Sequence, residues 1–317
     1  MDKSDARRDV SDRDQNTSFF YPVLFLVPAF EDAAIDYVPF RIAKRKWGTS
    51  TFDLATLATK HKLHLPYQAM DMFLSRCKME LCVTGKRSLE EANQSFQSLR
   101  ISLYSTGVSP FICPFVTTYS VNDYSGINSR DSDTLRATLH PGMEVGLTSD
   151  AGMLEAWPLE LSFQCSIIPD GLQVSEANFV AAARIANLWE PLRLRFPQLQ
   201  AVINAATTAP TIGTLSQSLL HIWTGMEALF PSVSTELSFK LALYIAQLTD
   251  TGTDRLACFK SVRSAYNTRS RIAHGNENTV TAQDWNQTWA ILMKCLNALY
   301  RREHLPTEDD LLREMLS

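Results

Sequence analysis

From Leu215 to the end of the chain, apolar residues recur with the period of an α-helix, and nothing else in the sequence restricts the fold as much. In "LSQSLLHIWTGMEALF", Leu215, Leu219, Ile222, Met226 and Leu229 fall on one helical face. In the segment that opens "TAQDW", Trp285, Trp289, Leu292, Leu296 and Leu299 make a second stripe. A helix with an apolar stripe has to bury it against another element, so a succession of such helices predicts a bundle. "TELSFKLALYIAQL" and "DRLACFKSVRSAYNTRSRIAHG" read as two further helices between those stripes. The start signals agree. Thr281 is placed to cap one helix, with Asp284 at its third position, and Thr307 with Asp310 repeats the device ahead of the last helix.

The first two-thirds of the chain has a different texture. "YPVLFLVPAF" and "DYVPFRIAKRKWG" predict strands, with their prolines at edges or strand ends. "CKMELCVTG", "FICPFVTTYSV" and "LEAWPLELSFQCSII" are further strand candidates. "SLEEANQSFQSLRISLYSTG" predicts a helix, capped by Ser88 with Glu91 three residues on and ended by Gly107. "NDYSGINSRDSD" reads as a polar loop, and "SEANFVAAARIANLWEPLRLRF" as a helix. "NAATTAPTIGT" breaks the pattern and is expected to be a linker or an interdomain loop. The fold class expected is α+β: a strand-rich mixed domain over 19–208 after a disordered polar tail at 1–18, then an all-α bundle over 209–317.

Composition narrows the functional classes. The chain has 317 residues, 45% hydrophobic and 20% charged, and a formal net charge of −4. A mildly acidic chain is not a general nucleic-acid coat, so any RNA contact has to be local. Six cysteines are scattered, with no CxxC pair and no zinc-type spacing, and are expected to be free thiols. The chain contains no GxxxxGK[ST] loop, no HExxH and no GxSxG elbow. No metal or cofactor is expected. The polar start of the chain lacks a signal-peptide core, and "FFYPVLFLVPAF" is too short to span a bilayer, so a soluble cytoplasmic protein is expected.

One segment breaks the acidic background. Between Arg255 and Arg271 lie five basic residues: Arg255, Lys260, Arg263, Arg269 and Arg271. Phosphate is the partner such a segment fits. His274 follows, then Gly275, a natural left-handed residue after a helix end. A histidine in a last helical turn feels the macrodipole and can move a proton near neutral pH. A neighbouring guanidinium can hold a phosphate and stabilise developing charge. Arg271 and His274, three apart, share a helical face. Arg269 and His274, five apart, diverge by about 140° on an ideal helix. They can meet only if the helix end unwinds or a second chain completes the site, as a two-fold dimer would. The same residues also suit plain helix capping. The tryptophans at helical spacing, Trp223, Trp285 and Trp289, are expected in the core.

The segment resembles the HEPN superfamily, in particular the ApeA-like HEPN domains of bacterial defence proteins. Their hallmark is R-x(4–6)-H near a helix end, and "RSRIAH" supplies it with Arg269 and His274. "LLHIWTGMEALFP" and "ELSFKLALYIAQL" precede it in the matching order, over roughly 210–303. Ser270 follows the arginine where many active members carry Asn, Asp or His. The resemblance implies a metal-independent endoribonuclease acting as a homodimer, often a toxin, on RNA such as tRNA. It implies that His274 serves as general acid or base and that Arg269 stabilises the phosphorane. Glu227, in "GMEALF", is the acidic residue placed nearby to orient Arg269. Arg271, Asn267, Arg263 and Asn276 are candidate RNA contacts. A phage-derived or protein trigger is the expected activator, and the strand-rich part the expected sensor. A non-catalytic HEPN module that binds RNA or protein, and a dimerisation scaffold, are the alternatives.

Overall fold

The computed structural model describes residues 17–48, 51–52, 55, 67–118, 120–124, 154–156, 171–249, 254–275 and 280–317. The expected tail up to residue 16, most of the polar loop and most of the strand expected after 156 lie outside these residues. The chain divides into two compact units, Met1–Phe96 with Phe111–Trp157, and Gln97–Pro110 with Pro158–Ser317. The architecture is α+β, with an antiparallel sheet in the first part and helices in the last.

The sheet is built from β1 (Thr17–Val23), β2 (Ala34–Tyr37), β3 (Phe40–Lys44), β4 (Met79–Lys86), β5 (Phe115–Thr117) and β6 (Leu154–Ala156), in the order β2-β3-β4-β1-β5-β6. β1 is therefore interior, although it carries Pro22. Its pairing with β4 is continuous through Pro22↔Glu80, whereas on the other side the contacts are Phe20↔Thr117 and then the bridge Leu24↔Ile112. Pro22 has the same parity as Phe20 and Leu24, so its missing N–H falls in the gap between those two contacts. The edge position expected for this proline is replaced by a local break in one ladder. Tyr21 stacks on Phe96 with centroids 3.9 Å apart and donates its hydroxyl to Asn93 Oδ1 at 2.9 Å. Those two residues belong to α2 (Leu89–Ser105), which follows α1 (Tyr67–Leu74) in the chain. Ser88 accepts from the Glu91 N–H, as its spacing predicts.

The helical unit contains α3 (Glu176–Arg195), α4 (Leu199–Thr208), α5 (Leu215–Glu227), α6 (Leu237–Thr249), α7 (Arg255–Ala273), α8 (Ala282–Arg302) and α9 (Glu308–Leu316). Trp285, Trp289, Leu292, Leu296 and Leu299 are all buried, and so are Leu219, Ile222, Trp223 and Met226. Thr281 with Asp284, and Thr307 with Asp310, form complete capping boxes. Cys77, Cys82, Cys113, Cys258 and Cys295 are free and buried. Among the described residues no helix is long and apolar enough to cross a membrane.

The segment expected to be a linker is instead the end of α4 and a short 3-10 turn, Ala209–Thr211. Its small residues are packing residues. A Cβ placed on Gly225 of α5 would lie 2.4 Å from the Cβ of Ala205, so the glycine is what lets the two helices approach. The helical unit consequently begins well before residue 209 and takes in α3 and α4.

Candidate functional site

The site is built on α7. This helix contains five basic residues and no acidic one. Cys258, Val262, Ala265, Tyr266, Thr268 and Ile272 turn inward and fix its orientation. Leu256, Lys260, Arg263, Asn267, Arg271 and His274 are exposed. Their spacing of four, three, four, four and three residues keeps them within about 80° on an ideal helix, so they form one outward stripe. The helix ends at His274, whose backbone N–H donates to the carbonyls of Ser270 and Arg271, each at 3.2 Å. Gly275 then takes φ +89°, the left-handed turn that a side chain would strain. Capping is thus done by the His274 backbone, and its imidazole is left to solvent.

Arg269 lies off this stripe and meets Glu227 at the end of α5. Arg269 Nη2 donates to Glu227 Oε2 at 3.3 Å, and Arg269 Nε lies 3.1 Å from Glu227 Oε1. The Nε–Oε1 approach lacks hydrogen-bond alignment although both atoms are occluded, so it is a charge contact and Nη2–Oε2 is the directional bond. The two side chains retain 27% and 25% of their exposure. The opposite edge of the guanidinium, Nη1, makes no hydrogen bond among the described residues, which leaves a donor for an anion. Beneath Arg269, the guanidinium carbon is 5.5 Å from the centroid of the Tyr266 ring, and that ring meets Trp223 edge-on at 5.0 Å. Burial, and then the charge of Glu227, push the Tyr266 phenol upward, with Arg269 pulling against them. The phenol therefore stays protonated and neutral beside the ion pair.

Arg271 is held differently. Its Nη2 donates to Thr268 Oγ1 at 3.0 Å, and Thr268 in turn approaches Asp284 Oδ1 at 3.4 Å. Burial opposes the charge on Asp284, but the Thr281 hydrogen bonds, Arg271 and Thr268 together hold its carboxyl below the ordinary range. Thr268 thus links the end of α7 to the start of α8, and Arg271 braces that link while remaining exposed. The structure brings together Glu227 and Arg269, and separately Arg263, Asn267, Arg271 and His274. It does not bring Arg269 to His274 within one chain, in keeping with their 140° separation. Asn276 lies outside the described residues.

Two contributors escaped the sequence reading. Tyr266 stands three residues before Arg269, a spacing that puts the two on adjoining turns. Phe239 is 48% exposed, although it stands three and seven residues before the buried Ala242 and Ala246 of α6. Spacing therefore places Phe239 at the margin of the buried face, and no sequence signal marks it as exposed.

In comparison with known proteins, no protein-family model, no curated protein and no solved structure matches the chain.

Proposed function

We propose that the helical unit is a HEPN-type, metal-independent endoribonuclease, working as a cytoplasmic homodimer in bacterial anti-phage defence. The observation that carries the reading is the composition of α7. It is a helix without a single acidic residue in an acidic chain, with an oriented arginine on one side and an exposed histidine at its end. In the proposed reaction the RNA 2′-hydroxyl attacks the adjacent phosphorus. One imidazole of the pair of His274 residues removes the hydroxyl proton, and the 5′-oxygen leaves with a proton from an acid. Arg269 Nη1 stabilises the charge on the phosphorane, while Glu227 fixes the plane of the guanidinium from its other edge. Because Arg269 and His274 of one chain diverge, the partner copy supplies the complementary residue. The products are a 2′,3′-cyclic phosphate and a 5′-hydroxyl.

A second reading has its own observation. Glu227 already neutralises Arg269, and His274 stands where a helix cap stands, so the same geometry suits a non-catalytic RNA-binding module. Incubating total bacterial RNA in EDTA with the wild-type protein, His274→Ala and Arg269→Ala separates the two. Discrete cuts with cyclic-phosphate ends, made by the wild type alone, support the nuclease. RNA binding by all three proteins without cleavage by any supports the module.

A further inference from the structure

We infer that α6 and α7 form a track for single-stranded RNA that ends at His274 and begins on a stacking platform, Phe239. This inference rests on the ribonuclease reading for the identity of its ligand and adds the strandedness and the path.

Phe239 projects from the first turn of α6 and meets Phe259 of α7 edge-to-face, with centroids 5.6 Å apart. Phe259 is half-buried, so it props Phe239 from one side and leaves the ring 48% exposed. A large apolar side chain held open by a second aromatic ring is an incomplete stack, and a nucleobase fits its free face. Leu256, 64% exposed, adds apolar surface on the same side of α7. Phe259 is about 40° from Arg263 around the helix, so the platform adjoins the outward stripe.

Charge argues for a polyanion. Together α6 and α7 carry six basic residues and no acidic one. Lys260 and Arg263 have no ionic partner among the described residues, whereas Lys240 is compensated by Glu236 at 3.7 Å and Arg269 by Glu227 at 3.1 Å. From the platform the stripe continues through Lys260, Arg263, Asn267 and Arg271 to His274. Fourteen residues separate Lys260 from His274, about 21 Å of helix and the run of a few nucleotides. Cations along a backbone path with an aromatic at its far end are what an unpaired strand needs. A duplex hides its bases and cannot use the ring.

The test is fluorescence anisotropy with a labelled single-stranded oligoribonucleotide and the full chain carrying His274→Ala, which prevents turnover. Phe239→Ala in that background should weaken binding about ten-fold, and Phe239→Trp should restore it. Lys260→Gln and Arg263→Gln should each reduce the salt dependence by about one charge, and Phe239→Ala should leave it unchanged. The same sequence as a duplex should bind more weakly and should not respond to Phe239→Ala. Unchanged affinity in Phe239→Ala, or duplex binding as tight as single-strand binding, overturns the inference. So does a change in sedimenting mass without a change in affinity, since the face would then be a contact between copies of the chain. Cleavage by the wild type is scored separately. Phe239-dependent binding without cleavage sinks the nuclease and keeps the track, while cleavage indifferent to Phe239 does the reverse.

Discussion

The Arg269 guanidinium rests over the ring of Tyr266, which stands three residues earlier on the same helix. That places a buried aromatic face beneath the one arginine of α7 that is paired with a carboxylate among the described residues. Tyr266→Phe keeps the face and should cost less than about 1 kcal/mol, the scale of one net hydrogen bond. Tyr266→Leu removes both the face and the edge contact with Trp223, and should cost about 2 kcal/mol. Urea unfolding of the two variants decides the matter. Equal losses would show that the ring contributes only volume.

The Glu227–Arg269 pair should be measurable as a coupling. Both side chains keep about a quarter of their exposure, so solvent screens the pair and a large value is not expected. A double-mutant cycle with Glu227→Gln and Arg269→Met should return about 1 kcal/mol. Additive effects would mean that Glu227 does not hold the guanidinium in solution, and the orienting role assigned to it would be lost.

Gly225 is the tight point between α4 and α5. Gly225→Ala adds a methyl 2.4 Å from the Ala205 Cβ and should destabilise by about 1–3 kcal/mol. Ala205→Gly opens the same space at its own cost of about 1 kcal/mol for a glycine inside a helix. Combined, the two changes should destabilise less than the sum of the singles, as read from denaturation midpoints. Strict additivity would place the clash elsewhere.

Much of the helical part was legible because its signals are local. A stripe such as Trp285 to Leu299 and a capping box such as Thr281 with Asp284 are decided within one or two turns. The α4 segment misled for the opposite reason. Ala205, Ala206 and Thr207, followed by Pro210 and Gly213, read as unstructured until Gly225, twenty residues away in sequence from Ala205, is seen to need small partners. Pro22 misled in the same way, since the break that accommodates it is set by Thr117 and Ile112. In the site, Glu227 was placed near Arg269 through the family resemblance, not through any spacing rule, since the two lie 42 residues apart on different helices. Tyr266 and Phe239 were not found, because a supporting ring and an exposed ring look alike in a list of aromatics. The angular gap between Arg269 and His274 was legible from spacing alone.

The last helix should detach from its ionic anchor in acid. Arg302 donates to Glu314 through Nη1 at 2.8 Å and Nη2 at 3.1 Å, and Gln247 Nε2 adds a third bond at 3.0 Å. The Arg302 bonds first, and then Gln247, hold the Glu314 carboxyl below its usual value against a smaller opposing effect of burial. A depressed folded-state value means that the contribution is complete above the unfolded carboxyl range, near pH 4–5, and is lost as pH falls through the lower folded value. Ser232 also donates to Glu308, so α9 has a second attachment and should not leave in one step. Glu314→Gln should therefore cost a few tenths to about 1 kcal/mol at pH 7, the range of a solvent-screened pair. The difference from the parent should shrink towards zero as the pH falls below about 4. Paired urea titrations at several pH values measure it directly. A difference that persists undiminished in acid would assign the stabilisation to packing around Leu311, which is fully buried, and not to the Glu314 charge.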